Sequence, residues 1–217
     1  MRIILGALAL ALSLFLILPQ AMEAQSRLSL EVRGGANFPV GEFADEVGGV
    51  EAESNLSFGV DAIYRFAERF SFFGGFSRSM YDCGVCGTDD DLNTMGAEAG
   101  LMVQFFERFP WLQPWVRAGA IYHRLELDIY APTIADESVE SDWNLGFQFA
   151  GGFDIPVTDY LSFTPMARVQ TYSVDMPDIT NPTDPNPEDP VNNLQVGPSI
   201  SHFSLEIGGR LHFPAFQ

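Results

Sequence analysis

The chain has 217 residues, of which 47% are apolar, and its 29 acidic residues against 11 basic ones give a formal net charge of −18. Basic residues this few, all of them arginine, exclude a nucleic-acid-binding protein, because neutralising phosphates requires a basic surface. The 19 phenylalanines exclude a disordered acidic chain, and two cysteines are too few for a scaffold of several disulfides.

The N-terminus has the pattern of a secretory signal peptide over residues 1–24. Arg2 precedes an uninterrupted run of apolar and small residues at 3–18, and a more polar stretch follows. We predict cleavage after Ala24, which leaves one domain over residues 25–217. The alternative is an uncleaved anchor, but the apolar run is shorter than the roughly 20 residues that a membrane helix needs.

Eight segments of the mature chain alternate apolar and polar residues with a period of two. Near the C-terminus, for example, Leu205 and Ile207 flank Glu206. This period is typical of strands with one apolar and one polar face. Most segments are about twice as long as an ordinary globular strand, and the seventh contains Pro165. The predicted strands cover residues 28–38, 56–66, 70–81, 94–105, 115–127, 143–155, 161–172 and 202–213.

The connections between these strands alternate in length. Short turns follow the second, fourth and sixth strands, at residues 67–69, 107–112 and 156–160. Long loops follow the first, third, fifth and seventh strands, at residues 39–54, 82–93, 128–142 and 173–198. The pattern predicts an up-and-down meander with all long loops at one end. These loops are rich in Asp and Glu and contain no arginine.

The polar face of the strands carries balanced charge. Its five acids and five arginines are Glu31, Arg33, Asp61, Arg65, Glu98, Arg117, Asp154, Arg168, Glu206 and Arg210. A surface in water has no need for this balance, but a narrow lumen does, because an unpaired buried charge costs several kcal/mol. Arginine also suits buried pairing, since its fork binds carboxylates through two hydrogen bonds. We therefore predict that these ten residues form a charge network inside a barrel. Because the first and last strands close the barrel, Glu31 and Arg33 are the expected partners of Glu206 and Arg210.

Two kinds of barrel fit eight antiparallel strands behind a signal peptide. A soluble ligand-carrying barrel has its apolar face inside, whereas a transmembrane barrel has it outside. The balanced polar face favours the second, and so do aromatic residues placed as interfacial girdles at Trp111, Trp115, Trp143, Tyr122 and Tyr160. The predicted fold class is all-β: an eight-stranded antiparallel up-and-down transmembrane β-barrel.

The chain resembles the eight-stranded outer-membrane barrels of the outer membrane protein A and outer membrane protein X kind over residues 27–213. Its last strand, residues 204–213, is similar to the C-terminal signal read by the barrel-assembly machinery, although four residues follow it here. The resemblance implies a place in the bacterial outer membrane, with membrane lipid and that machinery as partners. We expect a structural, adhesive or surface-interaction role that exposes the acidic loops, with a surface partner that the residues do not identify.

The loops contain two patterns with possible chemistry. Cys83 and Cys86 have redox or metal-ligand spacing, but their acidic surroundings favour a small disulfide in an oxidising compartment. Asp89, Asp90 and Asp91 lack the spacing of a calcium loop. We predict no metal site and no cofactor, but expect cations to screen the acidic loops near anionic lipid.

Two alternative functions depend on the polar face. His202, Ser204 and Glu206 are similar to the His-x-Ser element of outer-membrane lipid A deacylases, but alternation points them into the lumen. Residues at i, i+2 and i+4 share one face of any strand, so such triplets also arise by chance. We therefore predict no catalytic residues and no enzymatic activity. The other alternative is a narrow solute pore, which we consider less favoured because side chains can fill an eight-stranded barrel.

Overall fold

The computed structural model describes residues 27–41, 52–83, 91–105, 111–129, 137–173 and 199–213. These ranges contain ten β-strands. They are β1 (Leu28–Pro39), β2 (Ala52–Glu53), β3 (Asn55–Arg65), β4 (Phe70–Cys83), β5 (Asp91–Gln104), β6 (Gln113–Ile129), β7 (Glu137–Glu140), β8 (Asn144–Pro156), β9 (Leu161–Ser173) and β10 (Ser199–His212). Within the same ranges, no helix is long and apolar enough to cross a membrane.

Eight of the strands close into one antiparallel barrel. Around the wall the order is β4, β3, β1, β10, β9, β8, β6 and β5, and β5 pairs with β4 to complete the circle. Each strand therefore lies beside its neighbours in the chain, and β1 with β10 joins the two ends. The predicted fold class, an all-β up-and-down barrel of eight antiparallel strands, is confirmed.

Two short strands lie where the sequence predicts only loops. β2 pairs with the last two residues of β4, and β7 pairs with the last four residues of β6. Both extend a hairpin beyond the barrel wall on the side of the long connections. The prediction of loops over the whole of residues 39–54 and 128–142 is therefore wrong, because strands of two and four residues are too short for alternation to reveal.

The strand register gives the barrel its stagger. Starting from Ser29 on β1, one can step from each residue to its direct partner on the next strand around the wall. The path returns to β1 at Pro39, ten residues after its starting point. The path between them runs through Ile63, Phe73, Gly100, Gly119, Gln148, Gln170 and His202. A stagger of this size in eight strands tilts them by roughly 40° and leaves an interior that side chains can fill.

The apolar face of the strands points outward. Leu145 and Phe147 on β8 are 66% and 68% exposed, whereas Gln148, the residue after Phe147, is 3% exposed. On β10, Ile207 is 60% exposed and its neighbour Glu206 is 2% exposed. The orientation inferred from alternation and charge balance, with the polar face inside, is the one observed.

Pro165 is accommodated within β9. The β9–β10 ladder continues through it, with Ile207 as its partner. The β8–β9 ladder, by contrast, is interrupted between Gly152 and Ile155, opposite this proline. Proline has no N–H to donate, so the strand keeps the pairing on one side and loses it locally on the other.

Four of the five predicted girdle residues lie on the outer wall. Trp111, Trp143, Tyr122 and Tyr160 are 63%, 44%, 50% and 56% exposed. The prediction for Trp115 is wrong, because this side chain is 1% exposed and points into the lumen. Its position on β6 has the parity of inward residues, so backbone geometry overrides the preference of tryptophan for the membrane interface.

Candidate functional site

The centre of the lumen contains a closed ring of two arginines and two glutamates. Arg168 Nη2 lies 2.5 Å from Glu206 Oε1, and its Nη1 lies 3.2 Å from Glu98 Oε2. Arg33 completes the ring, with its Nε 3.0 Å from Glu206 Oε2 and its Nη2 paired with Glu98 Oε1. All four side chains are fully buried. Since each charge has two partners of opposite sign, the ring satisfies the condition under which buried charges are tolerated.

A second group of ion pairs continues from this ring toward the short turns. Arg117 Nη1 lies 2.9 Å from Asp61 Oδ2 and 3.3 Å from Glu31 Oε1. Arg210 Nη2 lies 2.6 Å from Glu31 Oε2, and its Nη1 pairs with Asp154. Because Asp61 also pairs with Arg33 of the ring, the two groups form one continuous network.

The structure brings nine of the ten predicted lumen charges into this network. They are Glu31, Arg33, Asp61, Glu98, Arg117, Asp154, Arg168, Glu206 and Arg210. The tenth, Arg65, is half-buried at the end of β3 near the short turns, where its Nη2 donates to Gln104 Oε1 at 3.2 Å. The pairings across the β1–β10 seam are Glu31 with Arg210 and Arg33 with Glu206.

Glycines on the inner face leave the space that these side chains occupy. A methyl group at Gly59 would lie 2.6 Å from Arg33 Cζ. One at Gly75 would collide with Asp61 Oδ1 and with a carbonyl oxygen of the neighbouring strand. Both approaches are closer than van der Waals contact, so the glycine-rich inner face is a packing requirement of the charge network.

An apolar cluster also lines the lumen. It consists of Ile63, Phe73, Met102, Trp115, Ala150 and Met166, all of them buried. The Arg117 guanidinium lies 5.0 Å from the centroid of Phe73 and 5.5 Å from that of Trp115, and Arg210 lies 5.5 Å from Trp115. The aromatic rings therefore cover the cationic side of the network with favourable cation–π contacts.

Sequence reasoning missed this cluster because it treats the inner face as uniformly polar. The signal that could have found it is the parity of apolar residues, since Trp115 and Phe73 occupy the same faces as Arg117 and Ser71. Near the short turns, a cavity of about 10 Å³ remains beside Arg65, Arg210 and His212. A cavity of that size is at the lower limit for one water molecule.

The His202–Ser204–Glu206 triplet runs from the central ring, which contains Glu206, toward the long loops. His202 Nε2 is hydrogen-bonded to Gln170 Oε1 at 2.7 Å, and Glu206 is bound by two arginines and by Ser57 Oγ at 2.8 Å. Ser204 is completely buried, and its Oγ has no hydrogen-bond partner among the described residues. Nucleophilic catalysis requires a serine within hydrogen-bond reach of its base, which this arrangement does not provide.

Several sequence predictions fall outside the described residues. The signal peptide over residues 1–24 is one of them, as are Cys86, Asp89 and Asp90. The backbone of Cys83 is described at the end of β4, but its side chain is not, so the disulfide stays a prediction. Among the described residues, no group of three His, Cys, Asp or Glu side chains is placed to hold a metal ion.

Comparisons with known proteins concern the fold. No protein-family model and no curated protein matches the chain. Neisserial surface protein A has a similar solved structure, with a TM-score of 0.58 and 16% identity over 88% of this chain and 100% of that protein. A major outer membrane protein from Thermus thermophilus has a TM-score of 0.52 and 16% identity over 86% of this chain and 99% of that one.

The chain has the fold of a small outer-membrane β-barrel. An apolar outer wall around a lumen of ion pairs is unstable in water and stable in a bilayer, where a closed barrel leaves no open sheet edge. The outer membrane of bacteria is where barrels of this kind reside, and the two similar structures are of surface and outer-membrane proteins.

Proposed function

We propose that this protein is a non-conducting outer-membrane barrel with a structural or surface-interaction role. In this proposal the barrel anchors the four long acidic connections at the cell surface, and those connections bind a surface partner that the sequence does not identify. Their excess of carboxylates favours a partner with cationic groups, or one that binds through metal cations. The same charge predicts that cations screen the connections from anionic lipid.

One observation carries the proposal: the lumen is filled by its own side chains. The Arg33, Glu98 and Arg168 side chains at its centre have no exposed surface. Below them, Trp115 and Met102 are 1% and 2% exposed. Passage of a solute would require separating several buried ion pairs at once, so the network acts as a plug.

Two alternatives have weaker support. A lipid-modifying enzyme would need the serine of the His-x-Ser element to reach both its base and the membrane, whereas Ser204 is buried inside the barrel. A solute pore would need an open path past the Arg33–Glu98–Arg168–Glu206 ring.

The first experiment is gel mobility of the detergent-extracted protein with and without boiling. A faster unboiled band that requires detergent for solubility is the expected result, because a closed barrel resists unfolding by the gel detergent. A protein that is soluble without detergent would overturn the membrane assignment.

Planar-bilayer conductance then separates a plug from a pore. We expect the wild-type protein to be silent, and Trp115→Ala combined with Arg117→Ala to produce openings, because the double substitution empties the narrow part of the lumen. The matched control is Trp111→Ala, which removes an exposed tryptophan from the short turn before β6. Steady wild-type conductance would refute the plug.

A further inference from the structure

The positions of the arginines single out one area of the outer wall. Of the described arginines, Arg27, Arg65 and Arg69 lie near the short turns, and Arg33, Arg117, Arg168 and Arg210 lie in the lumen. Arg78 and Arg124 alone among them point outward in the half of the barrel nearer the long connections. A cation on a lipid-facing wall is costly unless it meets an anion at the membrane surface.

The strand register places these two arginines in one row. Arg78 on β4 is the direct partner of Met95 on β5, and Met95 is the direct partner of Arg124 on β6. We call Arg78, Met95 and Arg124 the arginine row. Two strand spacings separate its ends, about 10 Å. Both guanidinium groups can therefore lean toward a single group above Met95.

Neighbouring aromatic residues set the depth of the arginine row. Tyr122 and Trp143 stack with their ring centroids 5.3 Å apart, and both are about half exposed. The Arg124 guanidinium lies 5.4 Å from the Trp143 ring. Exposed tyrosine and tryptophan mark the headgroup level of a membrane. The arginine row is thus at the level of lipid phosphates in the leaflet on the side of the long connections.

A strip of small residues runs down the wall from the arginine row toward the middle of the membrane. Ala97 is paired with Phe76 and Tyr122, and Ala99 is paired with Gly74 and Ala120. We call Ala97, Ala99, Ala120 and Gly74 the alanine strip. The larger Phe76 and Tyr122, 49% and 50% exposed, flank its upper end. Such a depression accepts an acyl chain better than a wall of uniform large side chains.

The charges around the row limit what it can bind. Arg124 Nη1 is 2.5 Å from Glu140 Oε2, in a pair whose side chains are 23% and 45% exposed. Glu126 is the direct strand partner of Glu140, so two carboxylates lie beside Arg124. Arg78, in contrast, forms no ion pair with a described residue, although its Nε, like that of Arg124, has no hydrogen-bond partner among them. A phosphate therefore meets Arg78 first, and it reaches Arg124 only by displacing Glu140.

We propose that Arg78 and Arg124 bind one phosphate of an anionic membrane lipid whose acyl chain lies along the alanine strip. The guanidinium fork matches the geometry of phosphate oxygens, and the exposed Arg124–Glu140 pair contributes too little to prevent the exchange. This inference rests on the proposed place of the barrel in the outer membrane, because it needs a lipid leaflet at the level of the row.

The test measures lipid binding by native mass spectrometry of the full chain in a neutral detergent. The probes are lipid A, which carries phosphates, and the same lipid after enzymatic dephosphorylation. We expect the wild-type barrel to bind lipid A preferentially, and Arg78→Gln with Arg124→Gln to weaken that binding about tenfold or more. Arg69→Gln removes an exposed arginine near the short turns and is expected to leave binding unchanged.

Further variants separate the remaining explanations. Ala97→Phe fills the alanine strip and is expected to weaken lipid A binding while both arginines remain. Displacement of lipid A by excess inorganic phosphate, with no effect of Ala97→Phe, would overturn the lipid assignment in favour of free phosphate. Equal binding of the two lipids, or binding unaffected by the double arginine variant, would overturn the site itself. A bound second copy of the chain in place of lipid would do the same.

Gel mobility keeps this inference separate from the proposed function. Each sample is first checked for the faster unboiled band that indicates a closed barrel. If that band is absent and the protein needs no detergent, the membrane assignment fails. If the band is present and the arginine variants bind lipid A as the wild type does, only the lipid site fails.

Discussion

Replacing Arg33 with methionine tests whether the lumen network holds the barrel together. Arg33 is completely buried and pairs with three carboxylates, those of Asp61, Glu98 and Glu206. Methionine fills similar space without charge. The network as a whole contains four arginines and five carboxylates. Removing Arg33 leaves three arginines for the same five acids, so the excess of buried negative charge grows.

The expected loss of unfolding free energy depends on the arginine partners that the three carboxylates retain. Glu206 and Glu98 keep Arg168 as a partner, at 2.5 and 3.2 Å, and Asp61 keeps Arg117 at 2.9 Å. Removing one member of a buried ion pair costs about 3–5 kcal/mol. Because every carboxylate retains one arginine, we expect a loss near the lower end, about 3 kcal/mol. That is a large part of a typical unfolding free energy of about 5–15 kcal/mol.

The assay is urea unfolding in lipid vesicles, followed by tryptophan fluorescence and by the fraction of the faster unboiled gel band. Arg69→Met is the matched control, since it removes an exposed arginine and should change stability by about 0.5 kcal/mol or less. Adding Asp61→Asn to Arg33→Met should recover part of the loss, because it removes one of the uncompensated charges. If Arg33→Met and Arg69→Met are equally stable, water solvates the lumen and the account of a dry charge network is wrong.

Three further predictions concern packing, the lipid face and the loops. Gly59→Ala places a methyl group against the Arg33 guanidinium and should lower stability by about 1–3 kcal/mol in the same unfolding assay; an unchanged midpoint would show that Arg33 can move without losing its partners. Phe149→Arg puts a charge on the lipid-facing wall and should cost about 2–4 kcal/mol, whereas Phe149→Leu should cost much less; equal costs would contradict a bilayer around β8. Proteolysis of the long connections should be faster in low salt with chelator than in salt with divalent cations, and equal rates would argue against cation screening of the acidic loops.

Much of the fold could be predicted because alternation is a local property. Residues 204–207 show the pattern directly, with Ser204 and Glu206 buried and Leu205 and Ile207 exposed. The parity of such residues determines which side chains share a face, whatever the strand pairs with. Charge balance then decided which face lies inside, because a face with equal numbers of arginines and acids is needed only where water is excluded.

The sequence predicts the candidate site as a set of residues, together with the pairing of Glu206 and Arg210 with Glu31 and Arg33 across the closing seam. Pairs that cross the lumen, such as Arg117 with Asp61, could not be predicted. Glu31 and Arg210 are 179 positions apart in the chain and become cross-strand partners only when β1 and β10 close the barrel. For Trp115, the prediction from residue type was wrong, because its side chain is buried in the lumen. A tryptophan near a strand end is typical of an interfacial girdle, and only its parity relative to Arg117 reveals that it faces the lumen.

By itself the sequence determined the eight strands of the barrel wall, the side chains that share a face of each strand and the end at which the long loops gather. These properties follow from a backbone period of two and from turn lengths, both of which are local. Only the tertiary structure decided which charges meet across the lumen and which arginines lie at one level of the outer wall. The reason is the stagger of ten residues, which sets the height of every strand relative to its neighbours and has no trace in any single strand.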